Sequence, residues 1–69
     1  MKIREVQYRL RELGCRDVRI SGSHQIWVSP GGRTLPPLRI SHVGDDIQKM
    51  FLSKIVMSLR KEGINFHET

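Results

Sequence analysis

The residues best suited to chemistry sit in one short run, "RISGSHQIWVSPGGR", residues 19–33. His24 follows Gly22 and Ser23 at a corner between two runs of strand-forming residues. An imidazole accepts or donates a proton near neutral pH. Ser23 offers a hydroxyl or its N–H, and Gly22 lets the backbone approach a bound group closely. Arg19 before the corner and Arg33 in the turn after it are candidate phosphate anchors, because a guanidinium contacts phosphate through two parallel hydrogen bonds. The run reads in two ways: a turn that happens to contain a histidine, or a catalytic side chain on a rigid edge.

Other reactive residues point to less. His24, His42 and His67 lack metal-ligand spacing, and no carboxylate or thiol completes a set, so no metal site is expected. Cys15, at a helix–strand junction, reads as a packing residue rather than a nucleophile. Trp27 is open to three readings: stacking on a nucleic-acid base, covering the sheet, or filling a partner interface.

Size and charge narrow the substrate. A domain of 69 residues buries only about 60% of its unfolded surface, too little for a deep enclosed cofactor cavity. No cofactor is therefore expected, and a surface site acting on a large substrate fits better. Lys and Arg total 12 against 7 Asp and Glu, a net charge of +5. The excess lies entirely in residues 1–39, which carry eight basic and three acidic side chains, and eight of the 12 basic residues are Arg. That balance suits a polyanion, most simply nucleic acid. A single cysteine suits a reducing compartment. The charged start "MKIREVQYRL" is unlike a signal peptide, and no apolar run approaches membrane-spanning length. The expectation is a cytoplasmic protein without a membrane partner, with residues 1–69 forming a single domain.

The elements that must position these residues follow from spacing. Ile3, Val6, Leu10 and Leu13 form one helical stripe that ends at Gly14. Residues 15–20 read as a strand with Arg16, Val18 and Ile20 on one face. Residues 24–29 read as a second strand, with His24, Ile26 and Val28 on one face and Gln25 and Trp27 on the other. "SPGGR" is the turn that follows. "LPPLRIS" forms a third strand able to pair only after Pro37, since proline lacks the ladder donor. Asp45 or Asp46 caps a second helix ending near Gly63, with Ile47, Phe51, Leu52, Ile55, Val56 and Leu59 as its apolar face. Met50 and Met57 fall on the side of Lys54 and Lys61, as an adaptable protein contact, or folded back over the helix edge or under the C-terminal tail. The fold class is α+β, ordered α-β-β-β-α, with two helices on one face of a three-stranded antiparallel sheet.

This order, with "ISGSHQIWVSPGGR" after the helix "MKIREVQYRLRELGC" and with "LRKEGI" closing the last helix, resembles the HicA family of bacterial toxin–antitoxin ribonucleases. Gly22-Ser23-His24 matches that family's signature residue by residue. The family's usual Lys-x-Gly-Thr-Leu-like start of the last helix is replaced here by "QKMFL". The resemblance implies a fold like that of double-stranded-RNA-binding domains, His24 as the catalytic residue, an mRNA substrate and a HicB-type antitoxin as partner. It implies RNA contacts at Arg19, Gly22, Ser23 and Arg33.

Strand cleavage of RNA needs no metal, because its 2′-OH attacks the adjacent phosphorus. The enzyme must take the 2′ proton, stabilise charge on the phosphate, or protonate the leaving 5′ oxygen, and a positioned histidine typically contributes about 10²–10⁴-fold. Expected products are a 2′,3′-cyclic phosphate and a 5′-OH. His42 and Tyr8 are the candidates for a second proton-transfer group. Competing readings are a non-catalytic RNA-binding module of the same fold and a protein-interaction domain using Trp27, Met50 and Met57.

Overall fold

A computed structural model describes residues 1–67; Glu68 and Thr69 of the expected 1–69 domain lie outside the described residues. The element order is α1 (Ile3–Glu12), β1 (Arg16–Ser21), β2 (His24–Val28), β3 (Leu38–Arg39), a 3₁₀ turn (Ile40–His42) and α2 (Lys49–Arg60). The expected α-β-β-β-α order and antiparallel sheet are both present, with β2 in the centre.

Each helix forms where its apolar stripe finds a core and stops at a glycine. On α1, Ile3, Val6 and Leu10 are buried. Gly14, at φ +88°, then lets the Gly14 N–H reach the Arg11 carbonyl and the Cys15 N–H reach the Leu10 carbonyl at 3.1 and 2.9 Å. Gly63, at φ +75°, closes α2 with the same pair of bonds, from its own N–H to Arg60 and from Ile64 to Leu59. Both ends thus satisfy carbonyls that a helix leaves orphaned.

The core lies between the helices and one face of the sheet. Val6, Leu10, Trp27, Leu35, Leu38, Ile55 and Leu59 are all but fully enclosed, and Ile3, Cys15, Leu52 and Phe66 complete the cluster. β3 pairs with β2 from Leu38, but pairing is not confined to residues after Pro37. Before the prolines Thr34 bridges Val28 and the Leu35 N–H donates to the Trp27 carbonyl at 2.9 Å, so the two prolines interrupt the ladder rather than begin it.

Two further expectations are corrected. Neither Asp45 nor Asp46 caps α2: Gln48 occupies that position without a side-chain bond. Asp46 instead lies 3.7 Å from the Met1 amino group and 3.5 Å from the Lys2 ammonium, while the Asp45 carbonyl accepts the Ile3 N–H at 2.9 Å. Those acidic residues hold the start of α1 rather than the start of α2. The second correction concerns β1, where Arg16, Val18 and Ile20 do not share a face. Pairing slips between Asp17 and Arg19, so Val18 is an extra, bulged residue. Arg16 faces with Val28 and Arg19 with Ile26, whereas Ile20 faces with Gln25 on the helix side.

Candidate active site

The corner before His24 is a two-residue hairpin. Ser21 pairs with His24, and Gly22 between them has φ +61° while no other residue of the turn has positive φ. This is the II′ signature, which places glycine at the first central position and matches the twist of the strands it joins. A Cβ on Gly22 would meet nothing within 4 Å, so the turn is open to an approaching ligand. The Ser23 carbonyl accepts the Ile40 N–H at 2.8 Å, tying the hairpin to the far end of β3.

His24 is exposed, and its cross-strand neighbours are Ser21 on β1 and Arg39 on β3. Side chains directly opposite one another share a face. Arg19, paired with Ile26, lies on that same face about 7 Å further along the strand. Arg16, paired with Val28, continues the row. The bulge at Val18 sets this arrangement: without it, Arg16 and Arg19 would point to opposite sides. The sheet face turned away from the helices therefore carries one histidine and three arginines.

His24 also lines a cleft of about 510 Å³ where the end of the sheet meets the 3₁₀ turn and the start of α2. Leu38, Arg39, His42, Asp45 and Phe51 share that cleft. Tyr8 stands on α1, away from it.

Of the residues expected from sequence, Arg19, Gly22 and Ser23 are gathered around His24, but Arg33 is not. The Ser29 N–H donates to the Arg33 carbonyl at 2.8 Å, which places Arg33 at the other end of β2, about 17 Å along the strand from His24. There Glu62 holds the 29–33 turn. Its carboxylate accepts hydrogen bonds from the Ser29 hydroxyl and from the Gly31 N–H, the latter at 2.8 Å, and lies 3.5 Å from Arg33 Nε. Arg33 is thus part of a structural staple. Arg39 and Arg16 take the positions beside His24 and along its face that sequence reasoning did not assign. The signal for Arg39 was its place just past Pro37, where the third strand resumes pairing with β2.

The face beneath His24 is fixed by a buried polar network. Gln25 Oε1 accepts from Trp27 Nε1 at 2.9 Å and from Gln7 Nε2 at 2.8 Å, while Gln25 Nε2 donates to Asp17 at 3.2 Å. Trp27 is wholly enclosed, with the Arg11 guanidinium 5.2 Å from its ring centre. It is a core residue, so it neither stacks on a base nor fills a partner interface. Cys15 is buried too, and burial, followed by the Glu62 carboxylate, pushes its thiol pKa up. That agrees with packing rather than nucleophilic chemistry. Met50 and Met57 are each 58% exposed, so they are not folded back over the helix edge.

Compared with known protein families, residues 3–64 match the family described as HicA toxin of bacterial toxin-antitoxin. The chain belongs to the HicA toxin family. This HicA-family chain matches no curated protein and no solved structure. It is the toxin member of a toxin–antitoxin pair by family, and no described helix is long and apolar enough to cross a membrane. Among the described residues, no group of three or more His, Cys, Asp or Glu side chains is arranged to hold a metal ion. The HicA match covers both the hairpin that presents His24 and the cleft beside it.

Proposed function

We propose that this HicA-family toxin is a metal-independent endoribonuclease that cuts mRNA in the cytoplasm, with His24 as a proton-transfer catalyst. The observation that carries this reading is the exposed His24 flanked on its own sheet face by Arg19 and Arg39. An RNA strand laid across that face would set phosphates against the guanidiniums and a ribose against the imidazole. Arg39 would hold non-bridging oxygens of the scissile phosphate as charge builds there. Gly22 and Ser23 would give the strand close access to the hairpin backbone, and Arg16 and Arg19 would hold the flanking phosphates. His24 would then move a proton to or from the reacting oxygens.

A HicB-type antitoxin would silence the toxin by covering the same face. Acidic groups on that partner would complement Arg16, Arg19 and Arg39.

The test is the identity of the cut ends. Purified protein incubated with a single-stranded RNA should leave a 2′,3′-cyclic phosphate and a 5′-OH. Products with a 3′-OH and a 5′-phosphate would contradict attack by the 2′-OH. Salt-dependent binding without cleavage would instead support a non-catalytic RNA-binding module.

A further inference from the structure

Displacement at phosphorus by the 2′-OH needs two proton transfers at opposite ends of the reacting line. One group takes the proton from the 2′ oxygen, and another gives a proton to the departing 5′ oxygen. Two groups facing a shared cleft can serve both ends at once. We propose that His42 is the second proton-transfer residue, acting across the cleft from His24. This inference rests on the ribonuclease reading above.

His24 and His42 both line the same cleft, and both residues are exposed. Backbone pairing ties the two elements together. Arg39, the direct cross-strand neighbour of His24, immediately precedes the 3₁₀ turn Ile40–His42 that carries the second imidazole. The Ile40 N–H is bonded to the Ser23 carbonyl at 2.8 Å, and the Asp45 N–H to the His42 carbonyl at 3.0 Å. The His42 turn is therefore clamped to the hairpin that presents His24 on one side and closed by its own bond on the other. The remaining charged groups of the cleft are Arg39, Asp45 and Asp46, and Asp46 lies beside the Met1 amino group and the Lys2 ammonium. The cleft volume falls in the range of small-ligand sites, roughly 300–1,000 Å³, so it can take a nucleotide rather than a duplex.

In the step itself the 2′ oxygen forms a bond to phosphorus and the bond from phosphorus to the 5′ oxygen breaks. One neutral imidazole takes the 2′ proton, and the other, entering as imidazolium, gives its proton to the 5′ oxygen. Exchange with solvent resets both.

The experiment uses wild type, His24→Ala, His42→Ala and the size-matched His42→Gln on two short single-stranded RNAs. One RNA is unmodified. The other carries sulfur in place of the 5′ oxygen at a single linkage, a leaving atom that departs without a proton. On ordinary RNA, both His42 variants should be slower than wild type by about 10²-fold or more, with unchanged melting curves because the side chain is exposed. On the sulfur linkage, one histidine position and only one should regain a rate near wild type, which identifies the proton donor. If His24→Ala is inactive but the His42 variants cut ordinary RNA within about threefold of wild type, this inference falls and the ribonuclease reading stands. Equal defects at both positions on the sulfur linkage also overturn it. No cleavage by wild type overturns both readings.

Discussion

Arg39 stands directly across the β2–β3 ladder from His24, so one strand pair sets a guanidinium beside an imidazole on an exposed face. Arg33, the arginine nearer to His24 in sequence, is held at the opposite end of β2 by Glu62. The two arginines make opposite predictions. Arg39→Ala should slow RNA cleavage by roughly 10- to 100-fold, as loss of a phosphate contact at the reacting centre does. Arg33→Ala should leave the rate within about twofold, since its site is about 17 Å away along the strand. Single-turnover rates on one RNA check both, and an equal loss from the two variants would contradict the assignment.

Gly22→Ala tests the hairpin. The added Cβ meets no neighbour, so the only penalty is the left-handed backbone at φ +61°. That penalty is about 1–3 kcal/mol. A domain of this size should lose about 4–8 °C in Tm for each kcal/mol. An unchanged Tm in a thermal melt would show that the turn relaxes freely to another type.

Gln25→Leu tests the network under His24. The volume is nearly kept, but Trp27 Nε1 and Gln7 Nε2 lose their shared acceptor and Asp17 loses a donor. Leaving a buried donor unsatisfied costs about 1–3 kcal/mol. Urea unfolding of the variant should show that loss, whereas equal or greater stability would mean that the amide contributes nothing beyond its volume.

Cys15 gives a pH signature. Burial and Glu62 raise its folded-state pKa above the unfolded thiol value of about 8.5. Below the unfolded value both states hold the proton, and stability is unaffected. Above it the unfolded chain releases a proton that the folded chain retains, so stability falls as pH rises until the folded-state pKa is passed. Urea melts between about pH 7 and 10 should show a fall in wild type that is smaller in Cys15→Ala. Parallel curves for the two proteins would contradict it.

Much of the fold was legible in the sequence because its signals are local. The 3.6-residue spacing of Ile3, Val6 and Leu10, the glycines at 14 and 63, and the prolines at 36 and 37 each act through their own backbone. The sheet was harder. Alternation along β2 separates its two faces correctly but does not say which one is buried. The outward face holds Ile26 and Val28, while the core face holds polar Gln25 and Ser29. Those two polar residues are tolerated inside because Trp27, Gln7, Asp17 and Glu62 satisfy them, and three of these partners lie distant in sequence. Of the site, His24 with its Gly-Ser turn was legible as a local motif. Arg16 and Arg39 were not, because a bulge at Val18 and a two-residue strand set their faces. The Glu62 contact that holds Arg33 away from His24 joins residues 33 and 62, too far apart in sequence to be read locally.

The proposed function turns on His24 transferring a proton during RNA cleavage. Its most direct measurement is the single-turnover cleavage rate of a labelled single-stranded RNA by wild type and by His24→Ala, both in EDTA. Wild type should cleave, and the variant should be slower by about 10²–10⁴-fold. Equal cleavage by the two proteins, or none by wild type, would contradict it.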